Sequence, residues 1–192
     1  METYSNFNRP MNLSDYVRVY DDALSIEVCA DLIIRFEQER HHQVQRQDGL
    51  RNFTEVNVNT SQWVLDPIIR PMLKYRQQYF QDCGILPHMI TPDHGFEEIR
   101  MQRYLKDSNE EHKPHVDVYE PLSSKRFLAY FWYLNDVAEG GDTVFYRLDK
   151  EVKIQPRAGR LVMFPVNWQY LYATLSTISD DSYTIGGYLH YE

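Results

Sequence analysis

A chain of 192 residues with 43% hydrophobic residues and 15 tyrosines has the material for one aromatic-rich core, which excludes a disordered chain. Its formal net charge of −8 repels phosphate backbones, so nucleic acid is not an expected partner, and its apolar runs fall short of a membrane span. The two cysteines, Cys29 and Cys83, are too few for a disulfide scaffold and too isolated for a zinc site; they read as reduced, packed thiols of a cytoplasmic protein.

The opening stretch METYSNFNRPMNLSDY is polar and lacks the apolar h-region of a signal peptide. The first predicted helix lies in LSIEVCADLIIRFEQER, with Ser25 as N-cap and Ile26, Cys29, Leu32, Ile33 and Phe36 on one apolar face. His41 and His42 follow it as a polar C-terminal turn. RNFTEVNVNTSQW alternates in part and is expected to supply an edge strand. Asp66 and Pro67 are expected to open a second helix in DPIIRPMLKYRQQYFQDCG, Pro71 to bend it and Gly84 to stop it. GILPHMITPDHG then reads as loop, with its two prolines and two glycines.

Past residue 95 the texture changes. FEEIRMQRYL, HVDVYE, KRFLAYFWYLND, TVFYRL, VKIQPRAGRLVMFP, WQYLYATLST and SYTIGGYLHYE are short β-branched and aromatic segments separated by turn residues. That spacing predicts an antiparallel sandwich or barrel of roughly seven or eight strands. No internal repeat is visible, so residues 1–192 are expected to form a single α+β domain, with mainly helical support over 1–95 and a β-barrel core over 96–192.

KPHVDVYE, residues 113–120, carries the chemistry. Residues two apart on a strand share a face, so His115 and Asp117 are placed to converge on one ion. A histidine and a carboxylate, completed by a distant histidine, form the facial triad of non-heme Fe(II) oxygenases and leave coordination positions open for reactants. Taken alone, the pair reads more readily as a solvated strand end.

Three longer stretches give it a context: RMQRYLKDSNEEHKPHVDVYE, RFLAYFWYLNDVAEGGDTVFYR and VKIQPRAGRLVMFPVNWQYLY. Together they resemble the prolyl 4-hydroxylase-like branch of the 2-oxoglutarate/Fe(II) dioxygenases, from about Phe96 to the C-terminus. The resemblance implies a double-stranded β-helix (a jelly-roll, cupin-like barrel) with supporting N-terminal helices. It also implies Fe(II) and 2-oxoglutarate as cofactors, and hydroxylation of a prolyl peptide, another protein side chain or a small molecule. By position His115 and Asp117 take the places of the first two metal ligands and catalytic residues. Tyr104 takes that of a tyrosine that hydrogen-bonds the cosubstrate, and Thr143 lies in a strand bordering that pocket.

The pattern breaks further on. The family's distal histidine falls about eight residues past the Phe of its Phe-Pro pair, and eight residues beyond Phe164 stands Tyr172. The resemblance therefore assigns the third metal position to Tyr172. The Lys or Arg that pairs with the far carboxylate of 2-oxoglutarate is replaced by Ser182, preceded by Asp180 and Asp181. A serine donates one bond and cannot neutralise a carboxylate. Of the other candidates, His112 reads as a loop residue and His190 as an ordinary strand histidine, while Arg126 and Arg160 sit in strands from which either can reach inward. Two readings follow: an iron oxygenase with an atypical metal site, or a catalytically inactive descendant that uses the pocket to bind a ligand or protein. Nothing in the sequence sets an oligomeric state.

Overall fold

A computed structural model describes residues 11–59 and 62–192. Residues 1–10, most of the polar opening stretch, lie outside the described residues, as do Thr60 and Ser61 of the RNFTEVNVNTSQW segment.

Helix α1 (Ile26–Gln38) starts where Ser25 caps it, the serine side chain accepting from the Val28 amide. Cys29, Leu32 and Phe36 form its buried stripe, whereas Ile26 is exposed because it sits in the first turn, before the helix meets the sheet. Helix α2 (Gln62–Asp82) begins four residues ahead of the expected Asp66, so Pro67 and Pro71 both lie inside it. Gly84 ends it as expected. It adopts φ +64°, and the Ile85 and Gly84 amides bond back to the Phe80 and Gln81 carbonyls, a Schellman closure.

Residues 11–95 also supply strands: β1 (Arg18–Tyr20), β2 (Val44–Gln47), β3 (Arg51–Asn57) and the start of β4 (His94–Phe96). Eight more follow: β5 (Arg100–Tyr104), β6 (Glu111–His115), β7 (Arg126–Tyr133), β8 (Thr143–Tyr146), β9 (Val152–Ile154), β10 (Leu161–Pro165), β11 (Leu171–Thr174) and β12 (Ser182–Tyr191). All pair antiparallel in one sheet of order β1-β10-β7-β12-β5-β3-β6-β11-β8-β9, with β2 on β3 and β4 on β12. β3 is no edge strand. It lies between β5 and β6, where its buried run Phe53–Val56 belongs.

The sheet curls. Tyr133 of β7 hydrogen-bonds Thr143 of β8 at 2.6 Å, although these strands stand six places apart in the sheet order. The α+β expectation of a double-stranded β-helix backed by N-terminal helices therefore holds. Period-two alternation divides each central strand between two cores. On β7, Tyr130 and Trp132 join Phe36, Ile68 and Met72 under the helices, while Ala129 and Tyr133 face inward with Phe145, Phe164 and Tyr172. The inner face holds the candidate site. Cys29 and Cys83 are free and buried, as expected, and no described helix is long and apolar enough to cross a membrane.

Candidate functional site

His115 is the last residue of β6 and Asp117 lies just past it, in a bend rather than on the strand expected for HVDVYE. The two side chains nevertheless meet, with His115 Nε2 3.5 Å from Asp117 Oδ1 and both almost fully buried. β6 ends there because its last registered partner is Tyr172 of β11, directly opposite His115.

The His115 ring is oriented from behind. Its Nδ1 lies 2.7 Å from the Lys113 carbonyl, and since a carbonyl only accepts, Nδ1 carries the proton. Nε2 is buried without a hydrogen-bond partner. A histidine held through one ring nitrogen, with the other free beside a carboxylate, is the usual preparation of a metal ligand.

Tyr172 lies beside this pair. Its ring sits 4.4 Å from that of His115, against Phe145 and Phe164, and its hydroxyl donates to both Asp117 oxygens at 3.2 Å. A second phenol, Tyr188 on β12, donates to Asp117 Oδ1 at 2.9 Å. Burial, reinforced by the Asp117 charge, raises both phenols well above their ordinary pKa, so both keep their protons. Arg126 steadies this end. Its guanidinium lies 4.1 Å over the Tyr188 ring, bonds the Asp117 carbonyl and pairs with Glu97.

His115 Nε2 and the Asp117 carboxylate thus fit two donor positions of an iron ion. Among the described residues no three His, Cys, Asp or Glu side chains are grouped to hold a metal. The third donor available is the Tyr172 phenol, which must give up its proton to serve.

His112 is not in a loop. The β6–β11 register shifts between the Tyr172–His115 and Thr174–His112 pairs, and this irregularity stacks the His112 ring on His115 at 3.4 Å. Burial and the neighbouring His115 press the His112 pKa down to about 3. His190 is on β12, away from the pocket lining, with Nδ1 buried and unpartnered. His42 bonds Glu39 in the turn after α1, next to His41.

A pocket of about 80 Å³ opens beside this cluster. Tyr104 and Thr143 both line it, the first bonded to Gln102 at 3.3 Å and the second to Tyr133. Ser182 does not line it. It is 1% exposed, opposite Tyr104, with its Oγ unpartnered, and so does not fit the far carboxylate of 2-oxoglutarate. Of the preceding aspartates, Asp181 accepts from the Lys106 amide. Neither Arg126 nor Arg160 lines the pocket, and Arg160 is held by Asp21 at 2.6 Å.

Sequence reasoning passed over Tyr133, Tyr188 and Arg100, all of which line the pocket. The signal was period-two spacing: Arg100 and Gln102 share a strand face with Tyr104, and Tyr188 shares one with Ser182, Thr184 and Gly186.

Comparison with known proteins agrees with the fold. The model of the 2OG-Fe(II) oxygenase superfamily matches residues 99–190. No curated protein matches the chain. Among solved structures, the 2OG complex of the viral collagen prolyl hydroxylase from Paramecium Bursaria Chlorella virus-1 superimposes with TM-score 0.69 at 19% identity, covering 92% of this chain and 97% of that one. A Pseudomonas putida prolyl-4-hydroxylase gives 0.69 at 15% identity, covering 92% of each chain. A Trichoplax adhaerens prolyl hydroxylase, in complex with a hypoxia inducible factor oxygen degradation domain peptide fragment, gives 0.71 at 18% identity, covering 93% of this chain and 84% of that one.

Proposed function

We propose that the chain is a metal-dependent oxygenase that hydroxylates a C–H bond, with His115, Asp117 and Tyr172 as an atypical ligand set, a reading supported by the match of the 2OG-Fe(II) oxygenase superfamily model to residues 99–190. The observation that carries this reading is the free, buried Nε2 of His115 beside the Asp117 carboxylate. An unpartnered buried nitrogen is costly unless something binds it.

Iron, when bound, would supply oxygen activation coupled to the oxidative decarboxylation of an oxoacid. The chain supplies placement. The Lys113 carbonyl and the Tyr188 hydroxyl hold His115 and Asp117 in position. Phe145 and Phe164 pack behind Tyr172 and keep bulk water from that side. The Tyr133–Thr143 and Tyr104–Gln102 pairs present hydroxyls to a ligand in the pocket. The similar structures are named as prolyl hydroxylases, which makes a prolyl peptide the first substrate class to test. Residues 1–192 act as a single unit in this reading, the helices serving as support for the barrel.

Aerobic iron-loaded protein should show a visible tyrosinate charge-transfer band that Tyr172→Phe abolishes. It should also consume 2-oxoglutarate above a His115→Ala control. An unchanged spectrum in Tyr172→Phe removes Tyr172 from the ligand set.

One observation favours a second reading, a non-catalytic ligand- or protein-binding module. Both Asp117 oxygens already accept from phenols, so the carboxylate is satisfied without a cation. Equal 2-oxoglutarate consumption by the parent protein and His115→Ala would favour it.

A further inference from the structure

The pocket's charge inventory is short. Among its described lining residues, Arg100 is the one lysine or arginine, and Glu98 the one acidic side chain. They face the same side of the chain two residues apart, and Arg100 Nη2 donates to Glu98 Oε2 at 2.7 Å. Among the described residues this is the only hydrogen bond the Arg100 side chain makes, so Nε and Nη1 have none. A guanidinium offers five donors in a planar fork suited to two-point binding of carboxylates. Here the fork is held at one prong.

The surroundings leave that fork facing the site. Gly186 of β12 stands opposite Arg100. At the adjacent Gly187 an added Cβ would come within 2.9 Å of the Glu98 carbonyl oxygen, so the strand can approach the Glu98–Arg100 segment closely only without a side chain there. Tyr188, whose hydroxyl bonds Asp117, lines the same pocket. Glu98 is half exposed, so its carboxylate has solvent to move into.

We propose that Arg100 anchors the carboxylate of an anionic pocket ligand, in place of a basic residue at 182, and that Glu98 is a resident carboxylate competing for the same guanidinium. This rests on reading the pocket as the oxoacid site of an oxygenase. It moves the anchor from β12 to β5 and makes ligand affinity depend on two residues of opposite effect.

The test is calorimetric titration of 2-oxoglutarate into the full chain loaded with Mn(II), anaerobically, with 2-oxovalerate as the analogue lacking the distal carboxylate. Arg100→Gln should weaken 2-oxoglutarate binding by about ten- to a hundredfold, the loss of one charge-assisted hydrogen bond. Arg100→Lys should fall between, keeping the charge and losing the fork. Glu98→Gln should tighten binding several-fold. The preference for 2-oxoglutarate over 2-oxovalerate should disappear in Arg100→Gln.

Unchanged affinity in Arg100→Gln, weaker binding in Glu98→Gln, or no binding of 2-oxoglutarate to the parent protein would each overturn the inference. Mn(II) affinity, followed in the same samples by electron paramagnetic resonance, separates this from the oxygenase reading. Arg100→Gln should leave it unchanged. If His115→Ala also leaves it unchanged, the metal assignment fails, and the Arg100 assignment still stands or falls on the affinities of the Arg100 and Glu98 variants.

Discussion

At the Asp117 end of the pocket, each carboxylate oxygen accepts a hydrogen bond from a buried phenol. At the Ser182 end, the buried Oγ has no partner. Both positions belong to the same inner face, and both are sealed from bulk water. The difference shows which half of the site the fold completes by itself. The Asp117 carboxylate is organised by phenols of β11 and β12. The position expected to grip an oxoacid is closed over, and among the described lining residues the cation is Arg100 on β5.

Placing a lysine at 182 is the most severe way to break this contrast. Ser182 Oγ has no hydrogen-bond partner and the residue is not part of the pocket lining. A buried, uncompensated charge costs roughly 3–5 kcal/mol. Ser182→Lys should therefore lower the stability of the ligand-free protein by about that amount, read from urea unfolding at pH 7. A loss below about 1 kcal/mol would show that position 182 opens into the pocket.

The phenol pair gives a smaller effect. Tyr188 donates to Asp117 at 2.9 Å, whereas the Tyr172 hydroxyl is shared between both oxygens at 3.2 Å. Hydrogen bonds to charged groups contribute about 1.5–3 kcal/mol, and weaker geometry less. Tyr188→Phe should cost about 2 kcal/mol in the metal-free protein and Tyr172→Phe about 1 kcal/mol. The double variant should cost more than their sum, since Asp117 is then buried without a donor. Additive or reversed effects would show that Asp117 is not held in the way its hydrogen bonds indicate.

These distances bear on how much of the molecule its sequence disclosed. The barrel was legible because alternating apolar residues must choose a face, and β7 and β10 do so cleanly. The α1 cap and the Gly84 stop were legible because each is a local backbone requirement. Ile26 and the start of α2 were misplaced because burial in a first turn depends on where the sheet lies. β3 was taken for an edge strand because alternation shows a strand's faces and not its neighbours. His115, Asp117, Tyr172, Tyr104 and Thr143 came from a resemblance in motif order, and the fold brings Tyr172, Tyr104 and Thr143 to the pocket lining but neither His115 nor Asp117. Asp117 sits next to it, bonded to two residues that do line it. The Tyr188–Asp117 bond spans 71 residues, and no local pattern announces such a contact. Ser182 was placed at the cosubstrate by its position in the family motif, yet it lies opposite Tyr104, buried and outside the pocket lining.

The smallest effect at neutral pH comes from His112, which was read as a loop residue and turns out to stack on His115. Its folded pKa of about 3 lies below the ordinary imidazole value of about 6.5. Between those values the unfolded chain binds a proton at this residue and the folded chain does not. Its contribution is intact above about pH 6.5 and is lost progressively as pH falls toward 3, where both states are protonated. Asp117 and Asp48 oppose the depression, and Arg51 adds to it, each less than burial and His115. His112→Phe keeps a ring in the stack against His115 and Phe53 and removes the titration. The urea midpoint of the variant should match that of the parent at pH 7 and fall less steeply between pH 6.5 and pH 4. Parallel slopes would place the acid sensitivity elsewhere and show that the His112 ring reaches solvent in the folded protein.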